Sequence, residues 1–305
     1  MRKLFHEVAL QPEALKRSDA TTLLRELRLD HARYVESIPL DWFQQANRIL
    51  ESDSDPNKHK RLALLAQLRW SVISTRLHRE LGAHKAERWV EMIAVAERAR
   101  PFDAVVSERE FHARSESVDL DAYLEKSGKE LGAVSRTFRT PADWLDVIKP
   151  VIHSDNVLAI VDRYLDLSDP NYSRLFGEFL EWIAESRIAY LRIFIGPKTA
   201  SDVRDSSWRK QFESVSQSIT TMMSVRCPRS SIRVLVSCRK GLHLRYLGTK
   251  ACGLELDYGF RLSGDRPYKL SVLREAALQD FRMEFLSAIG GGMFLANRSV
   301  WPTAG

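Results

Sequence analysis

Long apolar runs are missing from this 305-residue chain: the longest candidates, such as Val157-Leu158-Ala159-Ile160-Val161, have strand length, far short of the ~18 residues that cross a bilayer. Cysteine is scarce. Cys227, Cys238 and Cys252 are odd in number and include no CxxC spacing, so no disulfide framework is expected, and a chain of this length builds its cores without one. No apolar signal core follows Met1-Arg2-Lys3. Together these absences predict a soluble protein in a reducing cytoplasm.

Metal-ligand spacing is missing too. His6, His31, His59, His78 and His84 do not cluster, and a six-residue step puts His78 and His84 on different helical faces; no metal and no other cofactor is expected. Gly290-Gly291-Gly292 is not followed by the Lys-Ser or Lys-Thr of a phosphate-binding P-loop, so it reads as a turn or hinge. One absence is local. No acidic residue occurs between Glu213 and Glu255, a window that carries Arg226, Arg229, Arg233, Arg239, Lys240, Arg245 and Lys250. The formal charge of +6 is modest for the whole chain, but such a window predicts a local positive field that attracts nucleic acid, phosphorylated ligands or an anionic surface.

Hydrophobic spacing organises the remainder. Leu23, Leu24 and Leu27 predict a helix over residues 21–29. Leu62, Leu65, Leu68, Val72, Ile73, Leu77 and Leu81 predict another over 62–81, capped by Gly82, and residues 89–99 continue as a third. Residues 101–140 are rich in charge and read as a connector or small subdomain. Pro141 opens a helix with Trp144, Leu145 and Ile148 on one side, ending near Pro150. Strands then alternate with helices. Residues 157–161, 190–195 and 231–236 read as strands, separated by the helical patterns of Tyr172 to Ile183 and of Trp208 to Met223, the latter capped by Asp205 or Ser206. The predicted fold class is α/β: a mainly helical N-terminal domain over 1–100, the connector over 101–140, and over 141–305 an α/β domain whose mostly parallel sheet is flanked by helices.

In a parallel sheet, functional groups gather beyond the carboxyl ends of the strands. Asp162-Arg163-Tyr164, Gly196-Pro197-Lys198 and Arg239-Lys240-Gly241 fall there, and Leu242-His243-Leu244-Arg245-Tyr246 follows directly. Read as a strand, this last segment projects His243 and Arg245 onto one face. Lys250 and Asp257 come seven and fourteen residues after His243. Glu255 and Asp257 are candidate partners for Arg245. Asp162 is placed either to orient Arg245 or His243, with Tyr164 beside it, or to cap its own loop.

The order of these elements is a strand ending in Asp162-Arg163-Tyr164, a helix, two further strands, His243-Leu244-Arg245-Tyr246 and a glycine-bounded segment ending in Gly259-Phe260. This order resembles the phospholipase D-like superfamily, and more closely its variant known as the MIT C-terminal domain, whose bacterial relatives occur in gene clusters associated with defence against phage. The resemblance spans about residues 142–300 and leaves the N-terminal half unrecognised. Active members carry His-x-Lys followed by Asp, usually twice; the histidine attacks phosphorus while the lysine holds phosphate oxygens. The resemblance therefore implies catalytic-position roles for His243, Arg245 and Asp257, with Arg245 in the lysine position. Arginine retains bidentate phosphate binding.

Three functional readings follow. The first is an accessory subunit of a prokaryotic anti-phage complex that recognises phosphate or nucleic acid through Arg163, Arg239, Lys240, Arg245 and Lys250, supported by Asp162, Tyr164 and Glu255. A second is a metal-independent phosphodiesterase or nuclease, whose single motif requires a homodimer to supply the second His243. The third is a protein-interaction scaffold with a vestigial pocket. Nucleic acid or a phosphorylated ligand and other defence proteins are the expected partners; a membrane is not.

Overall fold

The computed structural model describes residues 5–17, 19–74, 88–107, 117–118, 123, 135–138, 141–197, 207–261, 268–287 and 294–300. His78, His84, Leu77, Leu81, Gly82, Lys198, Asp205, Ser206 and Gly290-Gly291-Gly292, all named above, lie outside them. The chain is of the α/β class and divides into two compact units, Met1–Val134 and Ser135–Gly305.

The first unit is built on strands β1 (His6–Leu10), β2 (Arg33–Ser37), β3 (Val72–Ser74), β4 (Ala104–Val106) and β5 (Ser117–Val118), with helices α1 (Ala20–Glu26), α2 (Trp42–Glu51), α3 (Lys58–Leu68) and α4 (Trp89–Ala99). The five strands form one sheet in the order β3-β2-β1-β4-β5, every neighbouring pair parallel. Alternation along β1 sends Val8 and Leu10 to one face, among Leu23, Leu24, Trp42, Leu65 and Leu68. Ala9 goes to the other face, among Ile38, Trp89, Ile93 and Phe102. Helices thus cover both sides of the sheet, as an all-parallel sheet requires.

The expectation of a mainly helical N-terminal domain is corrected by this sheet. Its strands are short, and β1 and β2 contain Glu7, Arg33 and Glu36, all buried, so they lack the continuous apolar run that marks a buried strand. The predicted helix over 62–81 stops at Leu68, and Val72 and Ile73 enter β3. Residues 101–140 are divided as well, supplying β4 and β5 to this sheet and a further strand to the second unit.

That further strand is β6 (Ser135–Phe138). There follow α5 (Pro141–Ile152), β7 (Val157–Val161), α6 (Pro170–Ala184), β8 (Tyr190–Ile195), α7 (Ser207–Arg226), β9 (Arg233–Arg239), β10 (Tyr246–Gly248), β11 (Gly253–Leu256), β12 (Tyr268–Val272), α8 (Glu275–Phe281), a π-helical turn (Arg282–Leu286) and β13 (Phe294–Val300). The eight strands lie in the order β13-β9-β8-β7-β10-β11-β12-β6. Only β7, β8 and β9 run parallel to one another; every other pairing is antiparallel. The sheet is therefore mixed rather than mostly parallel. A parallel crossover needs a dozen or more residues, and the six residues 240–245 between β9 and β10 are too few. The chain stays at the carboxyl end of β9, passes β8 and β7 in the strand order, and re-enters the sheet antiparallel to β7.

Two apolar layers hold this sheet. Trp144 of α5 and Phe176 and Phe179 of α6 surround Phe260, with ring centroids 5.1, 5.4 and 4.9 Å from it. A second cluster joins Ala159, Val161, Phe194 and Leu242 to Phe281 and Phe285. Asp169 caps α6 by accepting from the Asn171 amide at 2.9 Å, with Pro170 at the first helical position. Among the described residues, no helix is long and apolar enough to cross a membrane.

Candidate functional site

The carboxyl ends of β7 and β8 are where the second unit concentrates polar chemistry. The Asp162 amide makes a last sheet hydrogen bond, to the Phe194 carbonyl at 2.9 Å, and its side chain then turns inward with no exposed surface. Oδ1 accepts from the Tyr164 amide at 2.9 Å and stands 3.5 Å from Arg245 Nε. Oδ2 has no hydrogen bond of normal geometry, although the Phe260 amide lies close enough to favour the ionised form. Burial is the dominant influence and pushes the Asp162 carboxyl up to about 6, against the pull of the Tyr164 amide, Arg245 and the Phe260 amide. Tyr172, buried on α6, has its hydroxyl pushed above the usual range by burial first and by Asp162 second.

Arg245 reaches Asp162 from the six-residue link. Its Nη1 donates to the Asp257 carbonyl, and its guanidinium lies 4.8 Å from the Tyr164 ring centroid. Arg163 approaches the same ring at 4.9 Å and donates from Nη1 to the Leu242 carbonyl at 3.2 Å. Two guanidiniums thus share one aromatic ring, a favourable arrangement for each cation. The link itself is anchored by Leu242, which is buried. It passes so near the end of β8 that a Cβ on Gly196 would fall 2.6 Å from the Arg239 carbonyl oxygen. Gly241 turns the chain with φ +75°. Lys240, His243 and Leu244 are left exposed on the outside of the link.

Asp162, Arg163, Tyr164 and Arg245 are therefore brought together. The predicted pairing of His243 with Arg245 on one strand face is corrected: β10 begins only at Tyr246, and residues 242–245 lie outside the sheet. His243 faces solvent and has no hydrogen bond or ion pair among the described residues, whereas Arg245 turns inward to Asp162. Asp257 contributes its carbonyl, while its side chain is exposed. Glu255 is exposed on β11, opposite Tyr246 in the ladder, and makes no ion pair with Arg245.

The remaining cations disperse. Arg239 pairs with Glu284 at 3.0 Å and lies 5.4 Å from the Phe285 centroid. Lys250 sits near the amino end of β7, where its amide donates to Asp155 Oδ2 at 3.3 Å. Arg226, Arg229 and Arg233 also lie at or before the amino end of β9, about 20 Å from its carboxyl end by strand geometry. The acid-free window is thus two cationic groups at opposite ends of the sheet, which corrects the expectation of one local field. Two residues were missed by the sequence reading. Tyr172 carried no signal beyond its helical spacing, whereas Gly259 could have been suspected from its place in Asp257-Tyr258-Gly259-Phe260, a setting suited to a left-handed turn. No family model matches the chain, and no curated protein matches it by sequence.

Proposed function

We propose that the protein recognises a phosphorylated ligand, nucleic acid foremost, at the carboxyl edge of β7 and β8, and that it does so without cleaving it. Lys240 and His243 meet the ligand from the exposed side of the link, and Arg163 and Arg245 meet it from beside Tyr164. The observation that carries this reading is the link itself. It lays an acid-free segment across strand ends where the Asp162 carboxylate is buried and already faces a guanidinium. Cations so arranged give salt-dependent binding to a phosphodiester backbone. Against catalysis stands His243, whose ring has no orienting carboxylate or carbonyl among the described residues, as a nucleophile of this kind requires. The resemblance to the MIT C-terminal variant supplies the setting, an accessory subunit of a prokaryotic anti-phage complex.

A salt titration of labelled single- and double-stranded oligonucleotides tests the reading. Replacing Lys240 and Arg245 together by alanine is expected to weaken binding about 10-fold or more and to make the salt slope shallower by roughly one unit per lost phosphate contact. Arg239→Ala, whose guanidinium faces Glu284, should change affinity less than about 2-fold. Unchanged affinity in the double variant overturns the proposal. Cleavage that persists in EDTA and disappears in His243→Ala overturns its non-catalytic part in favour of a phosphodiesterase.

A further inference from the structure

We infer that one face of the second unit's sheet, at the amino ends of β8 and β9, is a separate contact for single-stranded nucleic acid. A base stacks on Tyr190 there, and Arg229 and Arg233 meet the neighbouring phosphates. This surface lies at the opposite end of the strands from Asp162 and Arg245, and either place can bind without the other.

Register fixes the face. Tyr190 stands opposite Arg233 of β9, Arg192 stands opposite Leu235, and Leu235 in turn stands opposite Ser299 of β13. Directly opposed residues share a side of the sheet, so these line one side, while Leu191, Ile193, Val234 and Val236 line the other. The two sides differ at the same level of the strands. Those four apolar residues are all buried, whereas Tyr190 is 41% exposed and Arg233 and Ser299 are exposed. Parallel strands are ordinarily covered on both faces. Here α8 and the π-helical turn cover the carboxyl half of β8, where Phe285 meets the Phe194 ring at 5.1 Å. Arg192 marks the limit of that cover, donating from Nη1 to the Phe285 and Ser287 carbonyls at 3.2 and 3.1 Å. Beyond it, towards the amino ends, the face opens to solvent at Tyr190 and Arg233.

The chemistry of the open part selects a nucleotide. Arg233 Nη1 donates to the Tyr190 hydroxyl at 3.3 Å, and its guanidinium lies 5.5 Å from the ring centroid, so the exposed ring is oriented by its own neighbour. A base that stacks on a ring already held in place loses less freedom on binding. The surrounding charge is of one sign. Register places no acidic residue on this face of β7, β8 or β9. Arg187 and Arg229, exposed in the turns that lead into β8 and β9, have no ion pair among the described residues. The nearby carboxylates belong to the other side, where α7 packs through Phe212 beneath Arg298: Glu181 of α6 pairs with Arg226 at 2.8 Å, and Glu185 follows at the end of α6. An aromatic ring among cations, without acid beside it, is the combination that binds single strands with little sequence preference. Bases paired in a duplex are not offered to such a ring.

The experiment uses the full-length chain and a fluorescent single-stranded oligothymidine, with a duplex of the same length beside it. Tyr190→Ala should weaken single-strand binding about 10-fold and Tyr190→Phe less than about 3-fold, because the ring is what stacks. Duplex affinity should move less than about 2-fold in both. Arg229→Ala combined with Arg233→Ala should make the single-strand salt slope shallower by roughly one unit. Unchanged single-strand affinity in Tyr190→Ala overturns the proposal, and so does an equal loss for single strand and duplex. A changed mass in solution with single-strand binding intact also overturns it and assigns the face to a second copy of the chain. Should Tyr190→Ala not fold, ultraviolet crosslinking of the parent chain to the same strand bearing iodouracil decides: an adduct on the peptide that holds Tyr190 is expected, and adducts only elsewhere overturn the proposal. The two surfaces fail separately. Affinity lost in Tyr190→Ala but kept when Lys240 and Arg245 are replaced removes the carboxyl-edge reading and leaves this one, the reverse removes this one, and no binding to either strand form removes both.

Discussion

Gly259 closes over Asp162 so tightly that a Cβ built on its backbone would stand 2.0 Å from Oδ2 and 3.1 Å from Arg245 Cδ, on a residue whose φ of +63° is itself left-handed. Glycine is required there twice over, by conformation and by space. Gly259→Ala is expected to destabilise the second unit by about 3 kcal/mol or more, since the carboxylate beneath it must move. Gly241 is the control: its φ is +75° but nothing lies within 4 Å. Gly241→Ala should cost only the strain of the backbone, about 1 kcal/mol. Denaturant unfolding of the two variants checks the difference.

Asp162 and His153 give the second unit opposing responses to pH. The Asp162 carboxyl rises from its ordinary 3.8 to about 6 in the folded protein, chiefly through burial. A raised value means stability present in acid and lost as pH climbs from about 4 to about 6. His153, buried just after α5, falls from 6.5 to about 4, through burial first and then Arg187 and Lys149. Its contribution is full above 6.5 and lost as pH drops towards 4. Each amounts to about 3 kcal/mol and they largely offset in the parent protein. Asp162→Asn should therefore show stability rising with pH across this window, and His153→Gln stability falling. Midpoints of thermal unfolding taken at several pH values read both signs.

Arg61 ties the first unit together from inside. Its buried guanidinium donates from Nη1 to the Leu15, Lys16 and Arg17 carbonyls, and its Nη2 lies 2.8 and 2.9 Å from carboxylate oxygens of Asp53 and Asp55. Truncation strands buried acceptors and two carboxylates at once. Arg61→Ala should destabilise this unit by about 3 to 5 kcal/mol, and Arg61→Lys by less, since an ammonium retains the charge but not the fork. Hydrogen exchange resolved by segment should show the loss in the strands and helices of residues 5–74, with the second unit's amides unchanged.

The three thiols are all free and buried, and burial raises those of Cys227 and Cys238, the latter to about 12. Thiolate, the reactive form, is therefore scarce in the folded protein. Alkylation at neutral pH is expected to be at least about 100-fold slower than in denaturant for Cys238, as mass spectrometry of timed samples would show.

The elements that sequence pattern alone could locate are those whose side chains are mostly apolar. Val157 to Val161 and Tyr190 to Ile195 are strands among apolar neighbours, and continuous β-branched and aromatic runs announce them. By contrast, β1 and β2 bury Glu7, Arg33 and Glu36, and the ion-pair partner of Glu7 is Arg100, distant in the chain, at 3.7 Å. No local pattern carries that information. The same distinction runs through the candidate site. Asp162, Arg163 and Tyr164 are contiguous and follow a legible strand, so their common location could be foreseen. That Arg239 turns to Glu284, and that Lys250 lies at the opposite end of β7, depends on where the π-helical turn and the β10–β11 hairpin pack.

By itself the sequence determined the α/β class, the alternation of strand and helix from residue 157 to 239, and the scarcity of acid along one stretch of chain, because periodicity and composition are properties of neighbours in sequence. Tertiary structure alone decided the parallel sheet of the first unit, the division of the cations between two ends of the second sheet, and the separation of exposed His243 from inward-facing Arg245. Those depend on strand order and on a link too short to cross back. Two residues at alternate positions share a face only while the backbone between them is a strand, and here it is not.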